Sequence, residues 1–107
     1  MTPPLSTRLR VRPDPVVVGG PGTPALVFRV QSLDGWDAVR VEAPAVTSVR
    51  EVKVAALAAL EPGAEPDQFV VKHRGHEVTD EAQAVSAVGV RDGSILSVAL
   101  RRRRPVR

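Results

Sequence analysis

Ser48-Val49-Arg50-Glu51-Val52-Lys53-Val54-Ala55-Ala56-Leu57-Ala58-Ala59-Leu60-Glu61-Pro62-Gly63 carries a helix start, an apolar stripe and a stop in one continuous run. Ser48 and Glu51 have capping-box spacing, in which each side chain satisfies an amide left without a partner at a helix N-terminus. Val49, Val52, Ala56 and Leu60 then fall on one helical face. Pro62-Gly63 ends the helix soon after Leu60, because proline cannot donate and glycine accepts the conformations that follow a helix.

The residues on either side read as strands. Upstream, Leu26, Phe28 and Val30 alternate with Val27, Arg29 and Gln31, the pattern of a half-buried strand. Asp34-Gly35 is a hairpin turn signal, since Gly supplies the positive φ that such turns require. The return strand points Val39, Val41 and Ala43 inward and Ala38, Arg40 and Glu42 outward, and Pro44 ends it. Downstream, Phe69 to His73 reads as a third strand and Val78 marks a short fourth. Val85, Val88 and Val90 pin a connection. Ile95 to Leu100 is the last strand, with Leu96, Val98 and Leu100 inward. The expected class is α+β: a β-grasp, in which a mixed sheet packs on one helix.

Within that class the chain resembles the ubiquitin-like family over about three quarters of its length, Leu26 to Leu100. Three stretches carry the resemblance. Pro66-Asp67-Gln68 stands where the family has Pro-Asp-Gln after its helix, Val71 to Val78 with Gly75 in the turn resembles the next segment, and Gly89-Val90-Arg91-Asp92-Gly93-Ser94-Ile95-Leu96 resembles the run into the terminal strand. The resemblance implies an ion pair between Lys53 and Asp80. It also implies a recognition face whose centre falls on Lys72 and Ala99, with Ser97 beside them, and a packed rather than chemical role for His73.

Conjugated members of the family need Gly-Gly after the last strand, because the tail threads a narrow channel where a side chain would clash. Here that strand runs into Arg101-Arg102-Arg103-Arg104-Pro105, and no Gly-Gly occurs after Gly93. Lys53 and Lys72 are the only lysines, and the positions used for the commonest chain linkages fall on His76 and on Arg91 or Asp92. The expectation is a poor modifier and a poor acceptor.

Three segments are expected: a flexible Pro/Gly-rich arm over residues 1–24, a ubiquitin-like domain over 25–101 and a basic tail over 102–107. Six prolines and Gly19-Gly20-Pro21-Gly22 argue against regular structure in the arm. Within it, Arg8 to Arg12 or Val16-Val17-Val18 could still add a short edge strand. The formal charge of +3 sits at the two ends. Arg8, Arg10 and Arg12 form one cluster, Arg101, Arg102, Arg103, Arg104 and Arg107 the other, and the middle is net negative. A solvated tail that aids solubility is the plainer reading of the basic end. Attraction to nucleic acid, an anionic membrane or an acidic protein is the other.

The 107 residues suit one domain. The absence of cysteine excludes disulfides and thiolate chemistry. No apolar run approaches the roughly 20 residues of a membrane span. His73, His76 and Glu77 flank a turn, but spacing of three residues across it is expected to splay the side chains, and a catalytic zinc site usually needs three protein ligands. No cofactor, metal or enzyme activity is expected.

The expected function is that of a non-conjugated ubiquitin-like protein-interaction module, most like the diglycine-less proteins of bacteria, monomeric and cytoplasmic. Its partner would come from a secretion or ubiquitin-like pathway. The expected contact surface is the open sheet face and its rim: Leu33, Trp36, Val70, Lys72, Ala99 and Arg101. Trp36 is the only tryptophan, and serves either as an anchor or as a ring folded back over the hairpin. The alternatives are a nucleic-acid or anionic-surface adaptor acting through the Arg-rich tail, and a modifier precursor with unusual processing.

Overall fold

The structure, a computed structural model, describes residues 10–11, 15–19, 25–33 and 37–101. Seven strands, one α-helix and two short 3-10 segments occur among them. In chain order they are β1 (Arg10–Val11), β2 (Val16–Val17), β3 (Leu26–Ser32), β4 (Asp37–Ala43), α1 (Val49–Leu60), a 3-10 turn (Pro66–Gln68), β5 (Phe69–His73), β6 (His76–Val78), a second 3-10 turn (Val85–Val88) and β7 (Ile95–Leu100). The sheet runs β1-β4-β3-β7-β5-β6, with β2 also on β4. β3 and β7 are parallel at its centre, while β3–β4, β5–β6 and β5–β7 are antiparallel. One helix lies across this mixed sheet, and the architecture is a β-grasp.

The helix begins and ends as its sequence dictates. The Ser48 hydroxyl accepts from Glu51 N at 3.1 Å, and Ser48 N donates to the Glu51 carboxylate at 3.4 Å. Two more N-terminal amides, of Val49 and Arg50, donate to the carbonyls of Gln83 and Glu81, both at 2.9 Å. The loop over residues 80–85 is thereby fixed to the helix start. Val49, Val52, Ala56, Leu57 and Leu60 meet Phe28, Val30, Val39, Val41, Phe69, Val71, Leu96 and Val98 in one apolar cluster.

Four findings depart from the sequence reading. Val16–Val17 and Arg10–Val11, expected in a free arm, pair in parallel with β4, and Val18 N donates to Glu42 O at 2.8 Å. The prolines exclude a helix there but leave short extended segments free to pair, and Val16 and Val18 gain apolar cover by docking. Just after β2 the chain passes close to the end of β4 at Gly19, whose φ is +93° and where a Cβ would stand 2.9 Å from Pro44 Cδ. Gly19 is therefore a point of close approach, which its lack of a side chain permits. Leu100, expected inward, is about half exposed: alternation sets its direction, but the cover ends at Val98. Ala38 is on the outward face as expected but is fully buried, on a strand paired on both sides. The Asp34-Gly35 turn, Trp36, residues 1–9 and Arg102 to Arg107 lie outside the described residues.

Lys53 is the fourth departure. It is buried as expected, at 1% exposure, but its partner is Glu81, not Asp80. The ammonium reaches Glu81 Oε1 at 2.7 Å and Oε2 at 2.9 Å, and donates to Phe69 O at 3.1 Å. Asp80 instead accepts from Ala82 N at 3.1 Å, closing its own turn. A short acidic side chain at a turn bonds its local backbone readily. The next residue, held to the helix start through its carbonyl, is left to face the lysine.

Candidate interaction face

Period-two alternation places one set of side chains on the helix and the other on the opposite face. Pair registers lay out that open face in rows. Ala38, Gln31, Ser97, Lys72 and Glu77 form the middle row, crossing from β4 to β6. On one side of it Val70 stands opposite Ala99. Leu33, whose amide donates to Val98 O at 3.0 Å, closes β3 beside them. On the other side, Arg40 stands opposite Arg29, which is in register with Ile95.

Five of the six expected contact residues come together. Leu33, Val70, Lys72, Ala99 and Arg101, with Glu77 and Leu100, line one groove of about 480 Å³. Their contributions differ. Leu33 and Leu100 are exposed apolar side chains at the rim. Val70, expected at the surface, is 7% exposed and forms floor rather than anchor, because the neighbouring strand covers a central β-branched side chain. Lys72 is half-buried, between its register partners Ser97 and Glu77. Arg101 N donates to Gln68 O at 2.7 Å, which fixes where the chain leaves the sheet and begins its arginine run. The exposed leucines suit apolar contact, and the polar ends of Lys72, Glu77 and Arg101 suit an oriented polar rim.

The hairpin at the far edge holds the two histidines. Arg74 (φ +54°) and Gly75 (φ +81°) make a two-residue turn that sets His73 and His76 directly opposite one another. Spacing therefore does not separate them, contrary to the expected splaying; burial does. His73 is buried, with Nδ1 3.0 Å from Val88 O, a hydrogen bond in which the ring N–H donates, while His76 is exposed. Among the described residues no group of three or more His, Cys, Asp or Glu is placed to hold a metal ion.

On the helix side, Arg50 donates to Asp67 at 2.9 Å. That hydrogen bond, and then the guanidinium charge, hold the Asp67 carboxyl below the usual carboxylate range. Both side chains are largely exposed, and Arg50 also approaches Glu81 at 3.8 Å. Arg50 links the helix start to the turn that precedes β5.

Two features of the structure were not drawn from the sequence. Glu81 as the partner of Lys53 carries no short-range signal, because the loop fold decides it. The opposition of Arg29 and Arg40 was within reach: both positions read as outward, and pairing the two strands through the Asp34-Gly35 turn brings them level.

Solved structures share this fold. Ubiquitin of Caldiarchaeum subterraneum aligns with a TM-score of 0.64 at 16% identity, covering 73% of this chain and 95% of that one. A ubiquitin-like domain of an Arabidopsis thaliana protein aligns at 0.64 and 15% identity, covering 82% and 89%. A protein designed de novo on the basis of ubiquitin aligns at 0.63 and 18% identity, covering 77% and 93%. No family model and no curated relative matches the sequence. At these identities the likeness is one of architecture: the chain has the ubiquitin-like β-grasp fold.

Proposed function

We propose that the chain is a non-conjugated, non-enzymatic interaction module that offers the open face of its sheet to a protein partner. The observation that carries this reading is the convergence of Leu33, Val70, Lys72, Ala99 and Arg101 on one groove. Two exposed leucines at its rim supply apolar area, and interfaces draw most of their energy from a few such desolvated side chains. Lys72 at the centre makes the face amphipathic, so the partner must bring an acceptor as well as an apolar side chain. Arginines directly follow β7, where a threaded modifier tail needs glycine, which supports binding over transfer.

Two measurements test it. Incubation with a ubiquitin-type activating enzyme and ATP is expected to give no thioester; a stable thioester through the chain's own carboxylate overturns the non-conjugated reading. A photo-crosslinking residue at Ala99 is expected to give discrete adducts in native-host lysate that disappear with Leu33→Asp. The same residue at Ala58, on the helix surface, is expected to give none. Equal adducts from both positions, or adducts insensitive to Leu33→Asp, overturn the assignment of the face.

A further inference from the structure

Arg29 and Arg40 are register partners on the antiparallel β3–β4 pair, and both side chains are exposed. Opposed positions on such a pair bring side-chain roots within about 5 Å, and like charges there repel. Among the described residues neither arginine makes an ion pair. The acids nearby are otherwise placed. Asp92 accepts from Val27 N at 2.8 Å, and Glu42, in register with Val27, pairs with neither guanidinium.

The two arginines share a groove of about 260 Å³ with Val27, Ile95, Gly93 and Ser94. Val27 and Ile95 are exposed apolar side chains, at 38% and 48%. The groove thus has two forked cationic donors flanked by apolar surface, at the opposite end of the open face from Leu33 and Ala99. A carboxylate that takes a hydrogen bond from each guanidinium relieves their repulsion and forms charge-assisted bonds.

We infer that Arg29 and Arg40 form a clamp for a carboxylate of an acidic peptide segment in a partner protein, with Val27 and Ile95 receiving the apolar side chain beside it. Charge complementarity selects the acid, and the valine and isoleucine select a peptide. Binding of bases uses exposed aromatic platforms; among the described residues both phenylalanines, Phe28 and Phe69, are buried in the core. The inference rests on the reading of the open face as an interaction surface, but uses residues that the groove at Leu33 and Ala99 does not contain.

The test is fluorescence anisotropy of a labelled peptide alternating glutamate with valine, titrated with the full chain. Arg29→Ser and Arg40→Ser are each expected to weaken binding about tenfold, and added salt to weaken binding to the parent more than to the double variant. A chain with Arg102, Arg103 and Arg104 changed to Ser is expected to keep this dependence on Arg29. Equal affinity of the parent and the double variant overturns the clamp. So does loss of binding in the tail variant alone. Displacement of the peptide by a single-stranded DNA oligonucleotide at equal charge, as effectively as by unlabelled peptide, also overturns it. Thermal unfolding of each serine variant at or above the parent midpoint is expected, since a repulsion is removed; a collapse in midpoint would assign the pair to folding instead. If the clamp fails while Ala99 crosslinks persist, the interaction face stands without it; loss of those crosslinks with clamp binding intact is the reverse result.

Discussion

The two faces of the sheet treat positive charge in opposite ways. On the helix side Lys53 is buried to 1% exposure, and its ammonium is held by both oxygens of Glu81 and by Phe69 O. On the open side Arg29 and Arg40 face each other with no ion pair among the described residues, and Lys72 lies half-buried in its groove. A buried charge left unpaired is expensive, so the helix face must be complete within the chain. An exposed one is hydrated and free for an outside partner. The difference separates the face that makes the fold from the face left open to solvent.

The largest effect is expected where a buried charge loses its partner. Glu81→Ala leaves the Lys53 ammonium with only the Phe69 carbonyl, and is expected to cost about 3–5 kcal/mol in urea unfolding. Lys53→Met is expected to cost less, because the Glu81 side chain retains 15% exposure and can turn to water. The double variant Lys53→Met with Glu81→Leu is expected to recover most of the loss. A Glu81→Ala curve that coincides with the parent's would break the contrast between the faces.

The edge formed by β1 and β2 stands next. Removal of residues 1–24 takes away the partly buried Val16 and Val18 that pack on the core and strips the parallel pairing from β4. A loss of about 2 kcal/mol is expected from that area; an unchanged unfolding midpoint would mean that the docked segment adds nothing to the fold. Gly19→Ala is expected to cost about 1 kcal/mol, because the backbone is left-handed there and the new Cβ meets the Pro44 ring. Pro44→Ala should relieve the clash but not the backbone penalty, so Gly19→Ala in that background should recover only in part.

A smaller effect belongs to Asp67. Its carboxyl titrates below the usual range in the folded chain, so whatever the Arg50 contact contributes is fully present above the ordinary carboxylate pKa. That contribution disappears as pH falls through the lowered value. Carboxyl chemical shifts followed against pH should show Asp67 titrating low in the parent and nearer normal in Arg50→Gln. Identical titrations would place the pair outside the solution structure.

The fold was readable because its signals are local. The capping box at Ser48 and Glu51, the stop at Pro62-Gly63 and alternation in Leu26 to Val30 each depend on residues within a few positions. Most of the candidate groove was readable as well, since a known topology carries Leu33, Val70, Lys72, Ala99 and Arg101 to one place. What was not readable depends on cover and on competition between partners. Alternation gives the direction of Leu100 and Val70 but not how much stands over them. Asp80 and Glu81 are adjacent acids, and only the turn that consumes Asp80 leaves Glu81 for Lys53. Val16 to Val18 shows no more strand length than a linker would; its docking depends on an open β4 edge and on a glycine that can approach Pro44 closely.

The separation of the two faces is tested most directly by one variant changed only on the open side, Arg29→Ser, Arg40→Ser, Glu77→Ser and Ile95→Ser together, measured by urea unfolding beside Glu81→Ala. The fourfold variant is expected to remain within about 1 kcal/mol of the parent, as exposed substitutions do, while Glu81→Ala falls well below it. A fourfold variant that loses as much stability as Glu81→Ala would contradict the claim that the open face is free of the fold and available to a partner.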